Sequence, residues 1–365
     1  MQSAPVVAIM VINYNGAKWL HRCFSSVLST DYPNLEVCLI DNGSRDGSVE
    51  YVRESFPNVK IIQNSVNLGF AEAYNKAIGQ LEAEYVVLLN NDTEILNQTW
   101  IKHLVQIANL DPNVAAVATK MVSMEDNGRL ESVGGMGIPY WRGFVDIGED
   151  EADIGQYQSG SEPFAFCGGA ALIRRLAFIE AGGFDGRFFL YVEDSDLSWR
   201  FRLLGWKVRY APPAIVAHSA GGTTGGRQVT PLKLYYCHRN LLRSIIKNCG
   251  SSIAWALRNY LLFSLMMIAG YLIYEPGNAI VVLKGIAWNI RNLKSTYVLR
   301  LVVQGRRKVN EAEILRPMYP PLARKQSVQH SNFRRLLNTL FEYGNRHKFQ
   351  VAIQTHHAEI GLGNA

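Results

Sequence analysis

Over the first 125 residues, short apolar runs alternate with stretches of helical spacing. VVAIMVI (6–12), LEVCLID (35–41), VKIIQN (59–64), YVVLLN (85–90) and VAAVAT (114–119) read as strands, rich in β-branched residues and bounded by polar turns. Between them, residues 17–29, 46–55, 69–82 and 98–110 place apolar positions at helical spacing. Strands that alternate with helices predict an α/β fold with a mostly parallel central sheet and flanking helices. Such sheets bind ligands beyond the carboxyl ends of their strands. Four of those ends are polar: NYNG (13–16), DNGSRDGS (41–48), NSVNLGF (64–70) and NNDTE (90–94). Together they predict a ligand-binding rim.

The pattern then changes. Residues 126–163, rich in Gly and acids, predict loops and a hairpin. FAFCGGAALIRR (164–175) predicts a strand with the pair Gly168-Gly169 inside it. YVEDSDLSWRFRLLGW (191–206) predicts a helix that opens on three acids, and KVRYAP and AIVAHSAGG complete the fold. From residue 230 the spacing is that of long helices. NYLLFSLMMIAGYLIY (259–274) has no charge in 16 residues. That is marginal against the run of about 20 that a membrane span needs. GNAIVVLKGIAWNIRNL (277–293) is amphipathic and holds a Trp, Lys284 and Arg291, a composition suited to the membrane interface. RPMYPPLARKQS (316–327) reads as a linker or loose tail. The predicted division is a catalytic domain over 1–245, an apolar and amphipathic helical region over 246–305, and a basic tail over 306–365.

Charge sharpens that division. Residues 1–226 hold 17 basic and 26 acidic residues, whereas 227–365 hold 20 and 5, which the net +6 conceals. Because the basic third also holds the apolar stretches, it points to a lipid surface and not to nucleic acid. The same helices would also suit packing on the catalytic domain or on a second subunit, as in a homodimer. A chain of 365 residues that is 48% hydrophobic buries the core of one large domain or two ordinary ones. The five cysteines form no CxxC pair, which fits a reducing compartment and excludes a zinc module. No basic residue precedes the first apolar run, so it reads as a strand and not as a signal peptide.

Four places carry candidate chemistry. Asp92, beside Asn90 and Asn91 at a strand end, suits a hard divalent cation, which takes one or two carboxylates plus substrate phosphate oxygens; a polar turn explains the residues equally well. Asp41-Asn42-Gly43-Ser44 offers a carboxylate to a base or ribose and lets the backbone approach closely, although an Asx turn capping a helix is the plainer reading. Glu193 and Asp194 open a helix, where acids favour the dipole; one of them is also placed to act as a general base. His218 ends an apolar stretch and, with Asp92 near, completes a metal site; alone it reads as a buried structural histidine.

Taken in order, VINYNG, IDNGSRDGS, NLGFAEAYN, LLNNDTE, FCGGAALIRR, FLYVEDSDLSWRFRLLGW and AHSAGG resemble the inverting glycosyltransferases of family 2. Within them the chain is similar to the rhamnosyltransferase-like branch that builds bacterial surface polysaccharides. The match covers residues 5–245, and YYCHRNLLRSIIKN also fits that branch. Each motif is weak alone; seven in order are specific. The resemblance implies the GT-A nucleotide-diphospho-sugar transferase fold, here with a C-terminal helical extension. It implies that Asn13, Asn15, Asp41 and Asn42 contact the base and ribose, and that Asn67, Gly69 and Asn75 support the nucleotide-sugar pocket. Asn90, Asn91 and Asp92 fall at the DxD position, with Asn90 where the full motif has Asp. Asp194, with Glu193, falls at the catalytic Glu-Asp motif, Gly168 and Gly169 at the acceptor side, and His218 at a metal ligand. The cofactor implied is Mg²⁺ or Mn²⁺, bound more loosely because of Asn90.

The activity expected is metal-dependent, inverting transfer of a sugar from a dTDP- or UDP-linked donor, rhamnose being the first candidate. The expected acceptor is a saccharide or lipid-linked saccharide in cell-surface polysaccharide synthesis. The QxxRW motif of processive synthases is absent from the sequence, which points to one or a few sugars per encounter. The expected location is the cytoplasm, peripheral on the inner face of the membrane. Two other readings stay open: a non-catalytic nucleotide-sugar or polysaccharide scaffold of a membrane complex, kept alive by Asn90, and a nucleotidyltransferase, for which NYNGAKW is a poor phosphate loop.

Overall fold

The structure is a computed structural model that describes residues 4–126, 128–138, 143–219 and 229–318. Strands β1 (Val7–Asn13), β2 (Leu35–Asp41), β3 (Lys60–Gln63) and β4 (Tyr85–Asn90) lie parallel in the order β3-β2-β1-β4. Helices α1 (Ala17–Leu28), α2 (Ser48–Ser55) and α3 (Gly69–Ile78) connect them. The chain continues through a short β5 (Thr93–Ile95), α4 (Trp100–Asn109), the long β6 (Val114–Ser123) and β7 (Leu130–Ser132). β8 (Gly135–Ile138) and β9 (Gly143–Asp146) form the hairpin expected within 126–163. β10 (Ala170–Arg174) inserts antiparallel between β4 and β6. After α5 (Arg175–Glu180) and α6 (Glu193–Leu203), β11 (Lys207–His218) runs parallel to β6, and β5 pairs antiparallel with its far end.

The apolar runs are continuous because both sheet faces are covered. On β1, Val7, Ile9 and Val11 pack with Phe24 of α1 and Trp100 of α4, whereas Ala8 and Met10 pack on the other face with Tyr74 of α3 and Phe201 of α6. The alternation follows the two-residue period of a strand. Truncating a side chain as buried as Trp100 or Phe201 to Ala would cost about 3–5 kcal/mol.

Helices α7 (Pro231–Asn248), α8 (Ile253–Tyr274), α9 (Pro276–Arg291), α10 (Leu293–Gly305) and α11 (Glu311–Met318) follow. α7 joins them to the sheet domain: Leu241 and Ile245 bury with Trp199 and Leu203 of α6 and with Tyr260 of α8. Position 245 therefore lies inside a helix that serves both regions.

Two expectations need correcting. Gly168 and Gly169 do not sit within a strand; they form a turn, and β10 begins at Ala170. KVRYAP and AIVAH are one strand, β11, whose register slips between Ala211 and Ile215, where Pro212 and Pro213 have no N–H to offer the ladder. α10 lies within the helical region expected over 246–305. The glycines of AHSAGG, Gly221 and Gly222, lie outside the described residues, as does the tail from residue 319.

Candidate active site

Strand register brings the polar ends together. Asn13 is level with Asp41, Asp41 with Gln63, and Ile12 with Asn90. The fully buried Asp41 is held on both oxygens: Oδ1 accepts from Asn13 Nδ2 at 3.2 Å, and Oδ2 accepts from the N–H groups of Gly43 at 3.1 Å and Ser44 at 3.0 Å. Asn13 Oδ1 in turn accepts from Asn91 Nδ2 at 2.6 Å. A Cβ on Gly16 would fall 1.9 Å from that Asn91 nitrogen, so a larger residue there would displace the Asn91 amide from Asn13. Asn42 donates to Gly69 O at 3.0 Å and accepts from Asn64 at 3.1 Å, with Lys76 Nζ on Asn64 at 2.7 Å.

The remaining rim residues set backbone. Asn15, at φ 50°, accepts from Arg45 N at 2.9 Å. Asn67 Oδ1 accepts from Gly69 N at 2.8 Å. Gly69 has φ +76°, and a Cβ there would lie 2.3 Å from Phe189 O. Asn75 spends its amide on Phe184, accepting from its N–H at 2.8 Å and donating to its carbonyl at 3.0 Å. It shapes the loop before α6 and does not face the rim.

At the end of β4, Asp92 and Asn90 meet His218, the last residue of β11. His218 Nε2 lies 3.3 Å from Asp92 Oδ1 and 3.3 Å from the Asn90 amide. Its Nδ1 is 2.6 Å from Glu131 Oε2. Burial alone would lower the imidazole pKa, but the hydrogen bonds and charges of Asp92 and Glu131 outweigh it and raise it to about 10. The donor set suits a hard divalent ion. Asp92 is 5% exposed, turning the Asn90 amide presents Oδ1, and Glu131 holds the second ring nitrogen as carboxylates do for ligating histidines. Among the described residues no three His, Cys, Asp or Glu side chains are placed to hold an ion by themselves. A site completed by substrate phosphate oxygens has that character.

The two acids that open α6 differ sharply. Glu193 is buried, and among the described residues its Oε2 has no hydrogen-bond partner; burial and the neighbouring Asp194 push its pKa well above the usual carboxylate range. Asp194 is only half-buried, and its Oδ2 accepts from Gly168 N at 3.0 Å. Burial raises its pKa too, opposed by the N–H groups of Gly168 and Ser195. Gly169 O accepts from Asn90 N at 2.9 Å, so the Gly168-Gly169 turn ties the Asp194 carboxylate to the Asn90–Asp92 strand end.

The approach to α6 is strained. Tyr191 and Val192 stand consecutively at φ 67° and 71°, a region costly for a bulky residue and worse for a β-branched one. Asn240 of α7 holds this bend, donating to Leu190 O at 2.9 Å and Tyr191 O at 2.8 Å.

Sequence reasoning did not single out Glu131, Asn240 or Asp146. Asn240 stands within YYCHRNLLRSIIKN, so a trace of it was visible. Glu131 and Asp146 sit in the acidic 126–163 segment, where nothing distinguishes them from solvated loop acids. Burial raises Asp146 to about 7, and the charge of Asp194 adds to the effect. Ser132 donates to it at 2.5 Å.

Comparison with known proteins places this geometry. Residues 8–182 match the sequence profile of the family described as Glycosyl transferase family 2. The chain is 28% identical over 253 residues to an N-acetylglucosaminyl-diphospho-decaprenol L-rhamnosyltransferase of Mycobacterium tuberculosis, spanning 60% of this chain and 78% of that one. It is 26% identical over 227 residues to a poly-beta-1,6-N-acetyl-D-glucosamine synthase of Staphylococcus epidermidis, over 62% of this chain and 52% of the synthase. Among solved structures, GalNAc-T7 with UDP, GalNAc and Mn²⁺ superposes with a TM-score of 0.54 at 17% identity, over 67% of this chain and 48% of that one. S. aureus TarS 1–349 gives 0.50 at 16% identity, over 90% and 93%. The structural likeness establishes the GT-A type of fold.

Proposed function

We propose, from the match of residues 8–182 to the Glycosyl transferase family 2 profile, that the chain transfers a sugar with inversion, with Asp194 as the general base. The donor is a nucleotide-diphosphate sugar, dTDP- or UDP-linked, with rhamnose as the first candidate because the mycobacterial relative is named a rhamnosyltransferase. The acceptor is a hydroxyl of a saccharide or lipid-linked saccharide. The observation that carries the reading is the Gly168-Gly169 turn, which bonds to the half-buried Asp194 carboxylate on one side and to Asn90 on the other. A base and a phosphate-end site joined by one turn are what displacement at an anomeric carbon requires.

Asn13, Asp41, Asn42 and the backbone around Gly69 would receive the nucleoside. Asp92, His218 and the Asn90 carbonyl would hold a divalent cation. That ion, when bound, supplies positive charge against the diphosphate oxygens of the leaving group. Asp194 takes the proton of the acceptor hydroxyl as its oxygen attacks from the face opposite the diphosphate. Burial and the neighbouring Asp194 push the Glu193 pKa well up, which favours its protonated form beside Asp194. Positioning of donor and acceptor adds to the general-base contribution.

The test is a donor panel. Purified protein is incubated with Mg²⁺ or Mn²⁺, nucleotide sugars and a bacterial lipid extract, and released nucleoside diphosphate is assayed. Release that a chelator abolishes supports the proposal and names the donor. Release of pyrophosphate, or binding of nucleotide sugar without release by any donor–acceptor pair, contradicts it.

A further inference from the structure

Three C-terminal helices leave many large apolar side chains exposed. On α8, exposed Leu261, Leu262, Leu265, Met266, Leu272 and Ile273 recur at steps that keep them on one side of a helix. Leu265 is 61% exposed and Ile273 74%. The opposite side, through Tyr260, Ser264, Met267 and Tyr271, is buried. α9 packs against α7, α8 and α10 and exposes Ile280, Leu283 and Ile290, and the neighbouring α10 exposes Tyr297 and Leu301. A surface this apolar marks a contact. Bases predominate: Ile253 to Asn310 contains eight Lys or Arg and a single acid, Glu275, although Arg307 and Lys308 pair with Glu311 and Glu180. Arg258, Lys284, Arg291 and Lys294 are exposed.

We propose that α8, α9 and α10 form a docking face for a bilayer surface that contains anionic lipid, and that they lie in the interface without crossing it. Apolar side chains flanked by bases, with almost no acid, complement acyl chains beneath anionic headgroups. A second copy of the chain is a poor occupant. A two-fold interface sets the same patch against itself, and here that would oppose bases with bases. α8 is long and apolar enough to span a membrane, but the chain after it stays on the catalytic side. Asn289 of α9 donates to Arg239 O of α7 at 2.8 Å, and Gly285 packs against Arg239, where a Cβ would lie 3.3 Å from its nitrogen. The proposal stands on this surface alone and is independent of the transferase reading.

The test is sedimentation of the full chain with vesicles of phosphatidylcholine, with or without phosphatidylglycerol. Protein is expected to partition to the phosphatidylglycerol vesicles, and salt should weaken that binding. L265E/I273E, at exposed positions, should lower partition by about tenfold or more. K284E/R291E should lower binding to phosphatidylglycerol vesicles selectively. The tail beyond Met318 is unchanged in both variants, and an unaltered thermal midpoint confirms their fold. Absence of binding to either vesicle overturns the proposal, as does undiminished binding by both variants. A dimer that L265E/I273E converts to monomer assigns the face to a second copy instead. Protein that alkaline carbonate cannot strip from the vesicles overturns the interfacial orientation.

Discussion

Single side chains divide the labour at the strand ends. Glu131 illustrates one that acts through a neighbour: it touches His218 Nδ1, not the ligand face. The Glu131→Gln substitution keeps the shape but weakens the orienting hydrogen bond. It is expected to weaken Mn²⁺ affinity by about 10–100-fold, measured by calorimetric titration with nucleoside diphosphate present. An unchanged affinity would show that Asp92 and Asn90 hold the ion without help from His218. The Asp41–Asn42 and Asn90–Asp92 stretches were legible in the sequence because a parallel sheet places its polar ends at one edge. The Glu193-Asp194 pair was legible as a pair but not as two unlike acids. Only packing shows that one has a buried oxygen with no hydrogen-bond partner among the described residues and that the other meets a backbone N–H.

At the scale of elements, α6 and α7 are locked by buried charge. Asp196, fully buried, accepts from Lys247 Nζ at 2.9 Å, Asn248 Nδ2 at 2.8 Å, Ser244 Oγ at 2.7 Å and Arg200 Nε at 3.0 Å. Asp185 accepts from Arg243 Nε and Lys247 Nζ, each at 2.8 Å. Burial pushes both carboxylates up, but these cations outweigh it and lower both pKa values. Removing one partner leaves charge buried and uncompensated, so Asp196→Ala should cost about 3–5 kcal/mol in urea unfolding. A loss under about 1 kcal/mol would mean that the cations find water instead. Asn240→Ala frees the Tyr191–Val192 bend and is expected to lower turnover while nucleotide affinity holds; equal loss of both would show a general collapse of the site. The third acid of EDSD looked like another helix-dipole residue in the sequence. Its role depends on α7, which arrives 48 residues or more later, at Ser244 and beyond. The α/β alternation was legible because each strand and helix carries its own period. The turn at Gly168-Gly169 was not, because an apolar run with glycines reads alike as strand or turn.

For the whole molecule, pH pulls stability and activity apart. Asp146, Glu193 and Asp194 have raised pKa values, so their favourable contribution is complete below about 4 and is lost as pH rises through the folded values, near 7 for Asp146. Asp185 and Asp196 have lowered values; their contribution is present above about 4 and is lost as pH falls below it. The thermal midpoint should therefore be highest in mild acid and decline towards neutral pH, and Asp146→Asn should flatten that decline. Turnover should rise with pH above the ordinary carboxylate range as Asp194 deprotonates. A midpoint that rises up to neutral pH would contradict the assignment of these carboxyls. The central claim is that Asp194 acts on the acceptor and not on donor binding. The most direct measurement compares kcat with nucleotide Kd in Asp194→Asn at saturating donor and acceptor. The expected result is a fall in kcat of about 10²–10⁴-fold with Kd unchanged. Undiminished kcat, or a loss of nucleotide binding as large as the loss of turnover, would contradict it.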